Sequence, residues 1–232
     1  MGLSRMLLLE LPETDYGEAL NLQRRIVRRK LAKGGPDVVI LLEHPPTITL
    51  GMRARDTDLL LSRAELAVRG VQVCTSDRGG QATYHGPGQL VCYPILDLRH
   101  LGLSVRDYVS RLEQTVICAL ESYGILGIRI KGKPGVWTGS KEKIASIGVR
   151  VERRVTSHGF SLNVNVPIDP GALLVSCGDP GIRAVNVQEL THGEVSMSLM
   201  RATVATCLSR IFGVILEPTD TSEALEPQLP GK

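Results

Sequence analysis

The chain is organised around one glycine-rich stretch that turns into an apolar strand: Arg78-Gly79-Gly80-Gln81-Ala82-Thr83-Tyr84-His85-Gly86-Pro87-Gly88-Gln89-Leu90-Val91-Cys92-Tyr93-Pro94. Glycine is used where the backbone takes unusual dihedral angles or comes close to a ligand. Gly86-Pro87-Gly88 predicts a turn between two β-prone segments. The stretch therefore predicts a hairpin-like pocket lining with Arg78, Thr83 and His85 as its polar groups. An ordinary surface turn is the alternative.

Strand-like segments lie on both sides of this stretch. Asp37–Glu43 is a nearly continuous aliphatic run, which is typical of a strand buried on both faces. Further strands are predicted by β-branched or alternating residues: Met6–Leu11, Thr47–Leu50, Val71–Thr75, Val91–Leu98, Ile128–Ile130, Val136–Thr138, Ile144–Val151 and Ser157–Val166.

Four segments have the spacing of helices. Asp15 is the predicted N-cap of Tyr16–Lys33, and Ser104 with Asp107 predicts a capping box for the helix that contains Cys118. Ser62–Arg69 and Val195–Ile211 are the other two. Many short strands with few helices indicate an α+β fold, in which helices flank a mixed sheet.

The helix Tyr16–Lys33 carries a dense basic face: Arg24, Arg25, Arg28, Arg29, Lys30 and Lys33. Such a face is usually a solvated helix surface. A docking surface for an acidic protein is the alternative.

Composition limits the classes of function. The 232 residues are 43% hydrophobic and 22% charged, as in ordinary globular domains. We expect one domain over residues 1–217 and a disordered tail over 218–232, where apolar residues are few.

A net charge of +3 argues against nucleic acid as the main ligand. No apolar run is long enough for a membrane span, and no secretory signal is recognised, so we expect a cytoplasmic protein.

The five cysteines form no Cys-x-x-Cys pair and are predicted to be reduced thiols. Cys74 and Cys92 lie in strand-like segments, and Cys118 and Cys207 lie in helices as expected core residues. Cys177 differs because it lies in a turn, Ser176-Cys177-Gly178-Asp179-Pro180-Gly181. There it could be a nucleophile that accepts an acyl group, or an inert, partly exposed cysteine.

A nucleophilic thiol needs a partner that favours the thiolate. Lys143 opens an apolar strand, where burial would lower its pKa and let it share the thiol proton. It could equally be a solvated turn lysine. His85 and His158 are rival partners. The chain has neither a Gly-x-Ser-x-Gly elbow nor a nucleotide-binding glycine motif, and no histidine pair at metal-ligand spacing predicts a metal site.

Five segments in register resemble the lipoyl(octanoyl) transferases: Arg78–Gln89, Gly135–Trp137, Lys143–Gly148, His158–Asn163 and Cys177-Gly178. The resemblance extends from about Met6 to Phe212. It implies the α+β fold of the lipoate and biotin protein ligase catalytic domains. It also implies transfer of an octanoyl group to a lysine through a cysteine thioester, without a cofactor.

By this resemblance Cys177 is the nucleophile and Lys143 lowers the pKa of its thiol. The residues implied to line the acyl pocket are Arg78, Gly79, Gly80, Gln81, Ala82, Thr83, Tyr84, His85, Ser146, Ile147, Gly148, Gly159, Phe160 and Ser161. Ser176 is a departure, because the family commonly has proline there.

The implied donor is octanoyl-acyl carrier protein. The implied acceptors are lipoyl domains of 2-oxoacid dehydrogenase E2 subunits and the glycine cleavage H protein, whose acidic surfaces would suit the basic helix. Two rivals remain. An ATP-dependent lipoate–protein ligase would have the same fold, and a non-catalytic module would bind lipoyl domains or carrier protein without using Cys177.

Overall fold

The computed structural model describes residues 4–167, 169–175, 179 and 181–225. Its strands are β1 Ser4–Glu13, β2 Asp37–Glu43, β3 Thr47–Leu50, β4 Gln72–Thr75, β5 Ala82–His85, β6 Gln89–Ile95, β7 Ile128–Ile130, β8 Lys133–Trp137, β9 Glu142–Glu152, β10 Val155–Asn163, β11 Arg183–Ala184 and β12 Val214–Thr219. Its helices are α1 Tyr16–Lys33, α2 Arg63–Val68, α3 Val105–Glu121, α4 Val187–Thr191, α5 Met197–Phe212 and α6 Thr221–Leu225. None of the helices in these residues is long and apolar enough to cross a membrane.

Nine of the described strands form one mixed sheet in the order β12-β1-β2-β6-β10-β9-β8-β7, with β11 beside β9. The β12–β1, β1–β2 and β11–β9 pairs are parallel, and the other pairs are antiparallel. A second sheet has the order β4-β3-β5. The predicted mixed sheet with flanking helices is confirmed.

The two faces of the large sheet are covered by different helices. Val39 and Leu41 of β2 belong to the apolar cluster beneath α3 and α5. Their neighbours Val38, Ile40 and Leu42 belong to the cluster beneath α1. This alternation is the period-two pattern of a strand, and all five side chains are fully buried. The prediction that this strand is covered on both faces is therefore confirmed.

The predicted starts of α1 and α3 are confirmed by their N-caps. Asp15 accepts hydrogen bonds from the backbone N–H groups of Gly17 and Glu18. Ser104 accepts from the N–H of Asp107, whose carboxylate accepts from the N–H of Ser104. Each cap satisfies donors that the first helical turn leaves without a partner.

A β-bulge lies near the start of β9. Val136 of β8 faces Ala145, but the next residue, Trp137, faces Lys143. Ile144 is therefore an extra residue between the two pairs, and both Ile144 and Ala145 lie in the cluster beneath α3 and α5. A bulge of this kind shifts the residues before it to the other face of the strand.

The bulge determines the face on which Lys143 lies. After Ala145, the odd-numbered residues Ile147 and Val149 pack against the α3–α5 cluster, and regular alternation would place Lys143 with them. The extra residue moves Lys143 to the α1 face of the sheet instead. There it forms one row with the even-numbered residues of β9: Ser146, Gly148 and Arg150.

The predicted tail is wrong in its first half. Residues 218 and 219 belong to β12, which pairs with β1 through Pro218 and Thr219, and residues 221–225 form α6. Ala224 of α6 is 1% exposed, and its carbonyl accepts a hydrogen bond from Arg29. One parallel pairing and one buried alanine order this polar segment, which composition alone does not indicate. Residues 226–232 lie outside the described residues.

The prediction that the cysteines are all reduced is also wrong. Cys118 of α3 and Cys207 of α5 form a disulfide whose Cα atoms are 5.9 Å apart. Both residues are buried, as expected, but the packing of α3 against α5 brings their side chains together. Cys74 and Cys92 are free. Two cysteines 89 residues apart in separate helices give no sequence signal for such a bond.

Candidate functional site

Two adjoining chambers lie between the α1 face of the large sheet and the small sheet. The first, here called the lysine chamber, is lined by Ala82, Thr83, Tyr84, Gln89, Lys143, Ser146, Asn163, Pro170, Ile182 and Ala184. The second, here called the histidine chamber, is lined by Tyr16, Arg78, Thr83, His85, Tyr93, Ser146, Gly148, His158, Gly159, Phe160 and Ser161. Thr83 and Ser146 belong to both linings, so the two chambers adjoin along β9, and together they are here called the passage.

The passage is narrow. Its chambers have cavity volumes of about 30 Å³ for the lysine chamber and about 20 Å³ for the histidine chamber. These values are close to the space that one or two waters occupy. A chain-like ligand therefore has to widen the passage as it enters.

Lys143 is buried at one end of this passage, with 6% of its surface exposed. Its Nζ lies 5.2 Å from the centre of the Trp137 ring, within the range of a cation–π contact. Gly135, with a positive φ of 130°, leaves room for it, because a Cβ at this position would lie 2.7 Å from Cε of Lys143. The geometry confirms the expectation that the lysine points inward.

Arg78 holds the glycine-rich stretch against the small sheet. Its guanidinium donates to the carbonyl and hydroxyl oxygens of Thr49 at 2.7 Å each and to the carbonyl of Gly79 at 3.2 Å. The N–H of Gly79 donates to the carbonyl of Val149. Arg78 therefore lines the histidine chamber and also fixes the strand that forms its wall.

A buried hydrogen-bond chain leads from Thr49 toward Lys143. Nδ1 of His85 lies 2.8 Å from the side-chain oxygen of Gln89, and the Gln89 amide donates to Asn163 at 2.9 Å. Asn163 donates to the carbonyl of Val185, whose own N–H donates to the carbonyl of Lys143. This network fixes the walls of both chambers.

The same network holds His85, one of the rival partners for a thiol. Both ring nitrogens of His85 have partners, since Nε2 lies 3.3 Å from the Thr49 hydroxyl. Burial, together with neighbouring His44 and Arg78, lowers the pKa of His85 well below its usual value. His85 is thus a neutral imidazole whose two ring nitrogens are both engaged in the wall of the chamber.

His158 has an unusual backbone for a strand residue, with a φ of +56°. Its register partner Val149 packs toward the α3–α5 cluster, but the His158 ring turns to Asp77, 2.8 Å from Nε2. Gln23 of α1 accepts a hydrogen bond from its backbone N–H at 2.8 Å. Burial lowers the pKa of His158, and the hydrogen bond from His158 holds the pKa of Asp77 well below its usual range.

Most of the predicted pocket residues come together. Arg78, Thr83, His85, Gly148, Gly159, Phe160 and Ser161 line the histidine chamber; Ala82 and Tyr84 line the lysine chamber, and Ser146 lines both. Gly79, Gly80 and Gln81 support the turn instead: the carbonyls of Gly80 and Gln81 accept from the N–H groups of Arg53 and Gly51. The prediction that Ile147 lines the pocket is corrected, because strand alternation points its side chain to the α3–α5 cluster.

Cys177 lies outside the described residues, but the segments on both sides of it are anchored. The N–H of Val175 donates to the carbonyl of Asp58, and Asp179 pairs with Lys133 at 3.5 Å. The following strand β11 pairs Ala184 with Lys143. β11, which follows Cys177 in the sequence, thus runs beside the buried lysine.

Sequence reasoning missed several lining residues. Tyr16 and Tyr93 line the histidine chamber, where Tyr93 also contacts His44. Gln89 and Asn163 line the lysine chamber. Gln89 and Asn163 are the last residues of the motifs Arg78–Gln89 and His158–Asn163, and this position could have identified them. Tyr16 has the pattern of an ordinary core residue of α1 and gives no such signal.

Comparison with known proteins shows the family of the chain. Residues 15–209 match the family model described as the lipoyl protein ligase A/B catalytic domain. A curated octanoyltransferase from Syntrophobacter fumaroxidans is 42% identical over 210 residues, which cover 90% of this chain and 92% of the relative. Another from Chloroflexus aggregans is 47% identical over 178 residues, or 75% of this chain and 80% of the relative.

Solved structures show the same fold at low identity. A bi-partite lipoate protein ligase from Thermoplasma acidophilum has a TM-score of 0.75 at 16% identity, over 97% of this chain and 91% of that one. The biotin protein ligase from Aquifex aeolicus has a TM-score of 0.54 at 16% identity, over 90% and 70%. The predicted likeness to both ligase types is confirmed, and this chain belongs to the lipoyl protein ligase A/B catalytic domain family.

Proposed function

We propose that the protein is an octanoyltransferase of protein lipoylation. It moves an octanoyl group from acyl carrier protein to a lysine of a lipoyl domain, through a thioester on Cys177. The observation that carries the proposal is the buried Lys143 at the end of a narrow passage, beside the strand that follows Cys177. The curated octanoyltransferases among its relatives support the choice of acyl group.

The first step exchanges one thioester for another. The Cys177 thiolate attacks the carbonyl carbon of the octanoyl thioester, and the bond to the carrier sulfur breaks. The thiol proton passes to Lys143 and then to the departing carrier thiolate. Because both esters are thioesters, this exchange needs no nucleotide.

The second step forms the amide. The acceptor lysine, as a neutral amine, attacks the carbonyl carbon on Cys177, and the cysteine sulfur leaves as a thiolate. Lys143 takes the proton that the amine loses and returns it to the sulfur. A positioned general base of this kind typically contributes 10²- to 10⁴-fold. The octanoyl chain occupies the histidine chamber in both steps.

The protein substrates dock on the exposed part of α1. Arg24, Arg25, Arg28 and Lys33 are exposed there, and acidic carrier and lipoyl domains suit them. Lys30 is not part of this surface, because it pairs with Asp37 at 2.7 Å in the interior.

The deciding experiment measures the intact mass of the protein after incubation with octanoyl-acyl carrier protein, without ATP. Wild type should gain one octanoyl group and lose it to an added lipoyl domain. Cys177→Ala should gain none, and Cys74→Ala is the matched control that should still gain one. Modification that appears only with free octanoate and ATP would identify a ligase instead. Binding of both proteins without any adduct would identify a non-catalytic module.

A further inference from the structure

The histidine chamber ends at His158, and a wide groove lies beyond it. The groove, here called the α1 groove, has a cavity volume of about 460 Å³. Leu20, Val27 and Leu31 of α1 form the apolar part of its lining, and the charged part consists of Arg24, Arg28, Asp77, Arg150 and Glu152. Among the residues that the structure describes, His158 is the one that lines both the chamber and the groove. The imidazole is therefore the partition between a narrow space and a wide one.

The partition is held firmly. Asp77 accepts a hydrogen bond from Nε2 of His158 and forms ion pairs with Arg24 at 3.5 Å and Arg150 at 3.4 Å. The backbone N–H of His158 is fixed by Gln23. The left-handed φ of His158 costs of order 1 kcal/mol or more for a residue with a side chain, so the surroundings hold the ring across the passage against a local penalty.

The length of the passage matches one acyl chain. Ser146, which both chambers share, lies three residues before Val149, the register partner of His158. Three residues of strand span about 10 Å. An extended octanoyl chain has seven C–C bonds near 1.5 Å and spans about 9 Å along its zigzag. A thioester carbonyl at Ser146 would thus place the terminal methyl group at the imidazole.

We propose that His158 sets the acyl chain length by closing the end of the chamber, and that removing its ring connects the chamber to the α1 groove. The proposal rests on the proposed function, because it assumes that the acyl chain lies in the histidine chamber. A chain of twelve carbons is about 5 Å longer by the same bond lengths and meets the ring in wild type. In the open variant its end enters the groove between Leu20, Val27 and Leu31.

His158→Gly is the informative substitution. Glycine adopts a positive φ without penalty, so the backbone that holds the partition is kept while the ring is lost. His158→Asn is the second variant, since asparagine also tolerates this conformation and removes part of the ring volume. Leu31→Ala is the matched control, because it widens the groove and leaves the partition in place.

The experiment incubates each folded variant with an equal mixture of acyl carrier proteins that bear eight-, ten-, twelve- and fourteen-carbon chains, and reads the adducts by intact mass. Wild type and Leu31→Ala should carry mainly the eight-carbon chain. His158→Gly should raise the ratio of twelve- to eight-carbon adducts at least tenfold, and His158→Asn should raise it less. The tenfold figure is the low end of what a pocket gains from rejecting extra methylenes.

An unchanged ratio in a folded His158→Gly protein would overturn the proposal, and so would equal loading of all chains on wild type. If His158→Gly does not fold, an unchanged ratio of twelve- to eight-carbon adducts in His158→Asn would overturn the proposal instead. Failure of the proposed function gives a different result, in which wild type carries no acyl adduct of any length.

Discussion

At the scale of single residues, removal of the buried amine of Lys143 should lower the rate of transfer most. Replacing Lys143 with methionine keeps the unbranched, apolar part of the side chain but removes the amine that accepts the proton. Transfer to a lipoyl domain should fall at least 100-fold, the lower end of general-base effects. Single-turnover rates of adduct formation and discharge are the measurement.

Lys131 provides the control for this prediction. It lies in the exposed turn between β7 and β8, and Lys131→Met should leave both rates unchanged. Equal rates for Lys143→Met and wild type would assign proton transfer to another group and contradict the proposed mechanism.

Sequence reasoning was strongest for residues inside long motifs. Arg78, Thr83 and His85 were predicted as the polar groups of a pocket, and all three line the histidine chamber. Residue type could not reveal that His85 is held by Gln89 and Thr49, because that depends on a strand pairing and a side-chain network. The assignment of Lys143 rather than His85 as the partner of the thiol therefore stays a prediction, which the Lys143→Met variant tests.

At the scale of elements, α1 serves both the interior and the surface. Its inner side packs on the sheet through Ala19 and Ile26, while Arg25 and Arg28 are exposed. The pattern of apolar residues predicted the bounds of the helix. It did not predict that Lys30 turns inward, because the ion pair with Asp37 depends on where β2 begins.

Reversing two charges on α1 tests it as the docking surface. Arg25→Glu with Arg28→Glu should raise KM for octanoyl-acyl carrier protein about tenfold, since each exposed pair is worth up to about 1 kcal/mol and 1.4 kcal/mol is tenfold. The salt dependence of KM should weaken as well. Steady-state kinetics at two ionic strengths provide both readings.

Arg106→Glu is the control for the docking surface. Arg106 is exposed on α3, which covers the opposite face of the sheet, so its reversal should change neither quantity. An effect of Arg106→Glu that equals the effect of the α1 variant per reversed charge would mean that net charge, and not α1, governs the encounter.

The β-bulge of β9 is an element that the sequence pattern did not reveal. Lys143-Ile144-Ala145 has no glycine and no break in its apolar character, so nothing in the composition marks an extra residue. The bulge depends on how β8 pairs with β9. For this reason a pattern could predict an inward-pointing lysine but not the face of the sheet to which it points.

At the scale of the whole molecule, buried histidines make stability depend on pH. His44 is fully buried, and burial lowers its pKa from the usual 6.5 to about 4. Well above pH 6.5 the histidine is neutral in both the folded and the unfolded state. As the pH falls from about 6.5 to 4, His44 becomes protonated in the unfolded chain but stays neutral in the folded protein. The free energy of unfolding therefore falls.

His44 alone lowers the free energy of unfolding by at most roughly 3 kcal/mol, because each pH unit between the unfolded and folded pKa values is worth about 1.4 kcal/mol. His85 and His158, whose pKa values burial also lowers, act in the same direction. We therefore expect Tm to fall steadily between about pH 7 and pH 4.5. Thermal unfolding followed by circular dichroism at intervals of half a pH unit measures the slope.

Two histidine variants test the cause of this slope. His44→Gln should flatten the dependence of Tm on pH, whatever it does to Tm itself, and the exposed His100→Gln should not. A wild-type Tm that stays constant or rises over this range would contradict the assignment.

The disulfide has a consequence for how the molecule would respond to mechanical force. Cys118 and Cys207 close a covalent ring of the intervening chain, 89 residues in sequence separation, and β7 to β10 with Lys143 and His158 all lie inside it. A pull on the two ends of the chain bypasses the ring. At about 3.5 Å per residue, roughly 300 Å of contour length stays hidden until the bond is reduced, so half of the site is shielded from tension while α1 and the glycine-rich stretch carry the load.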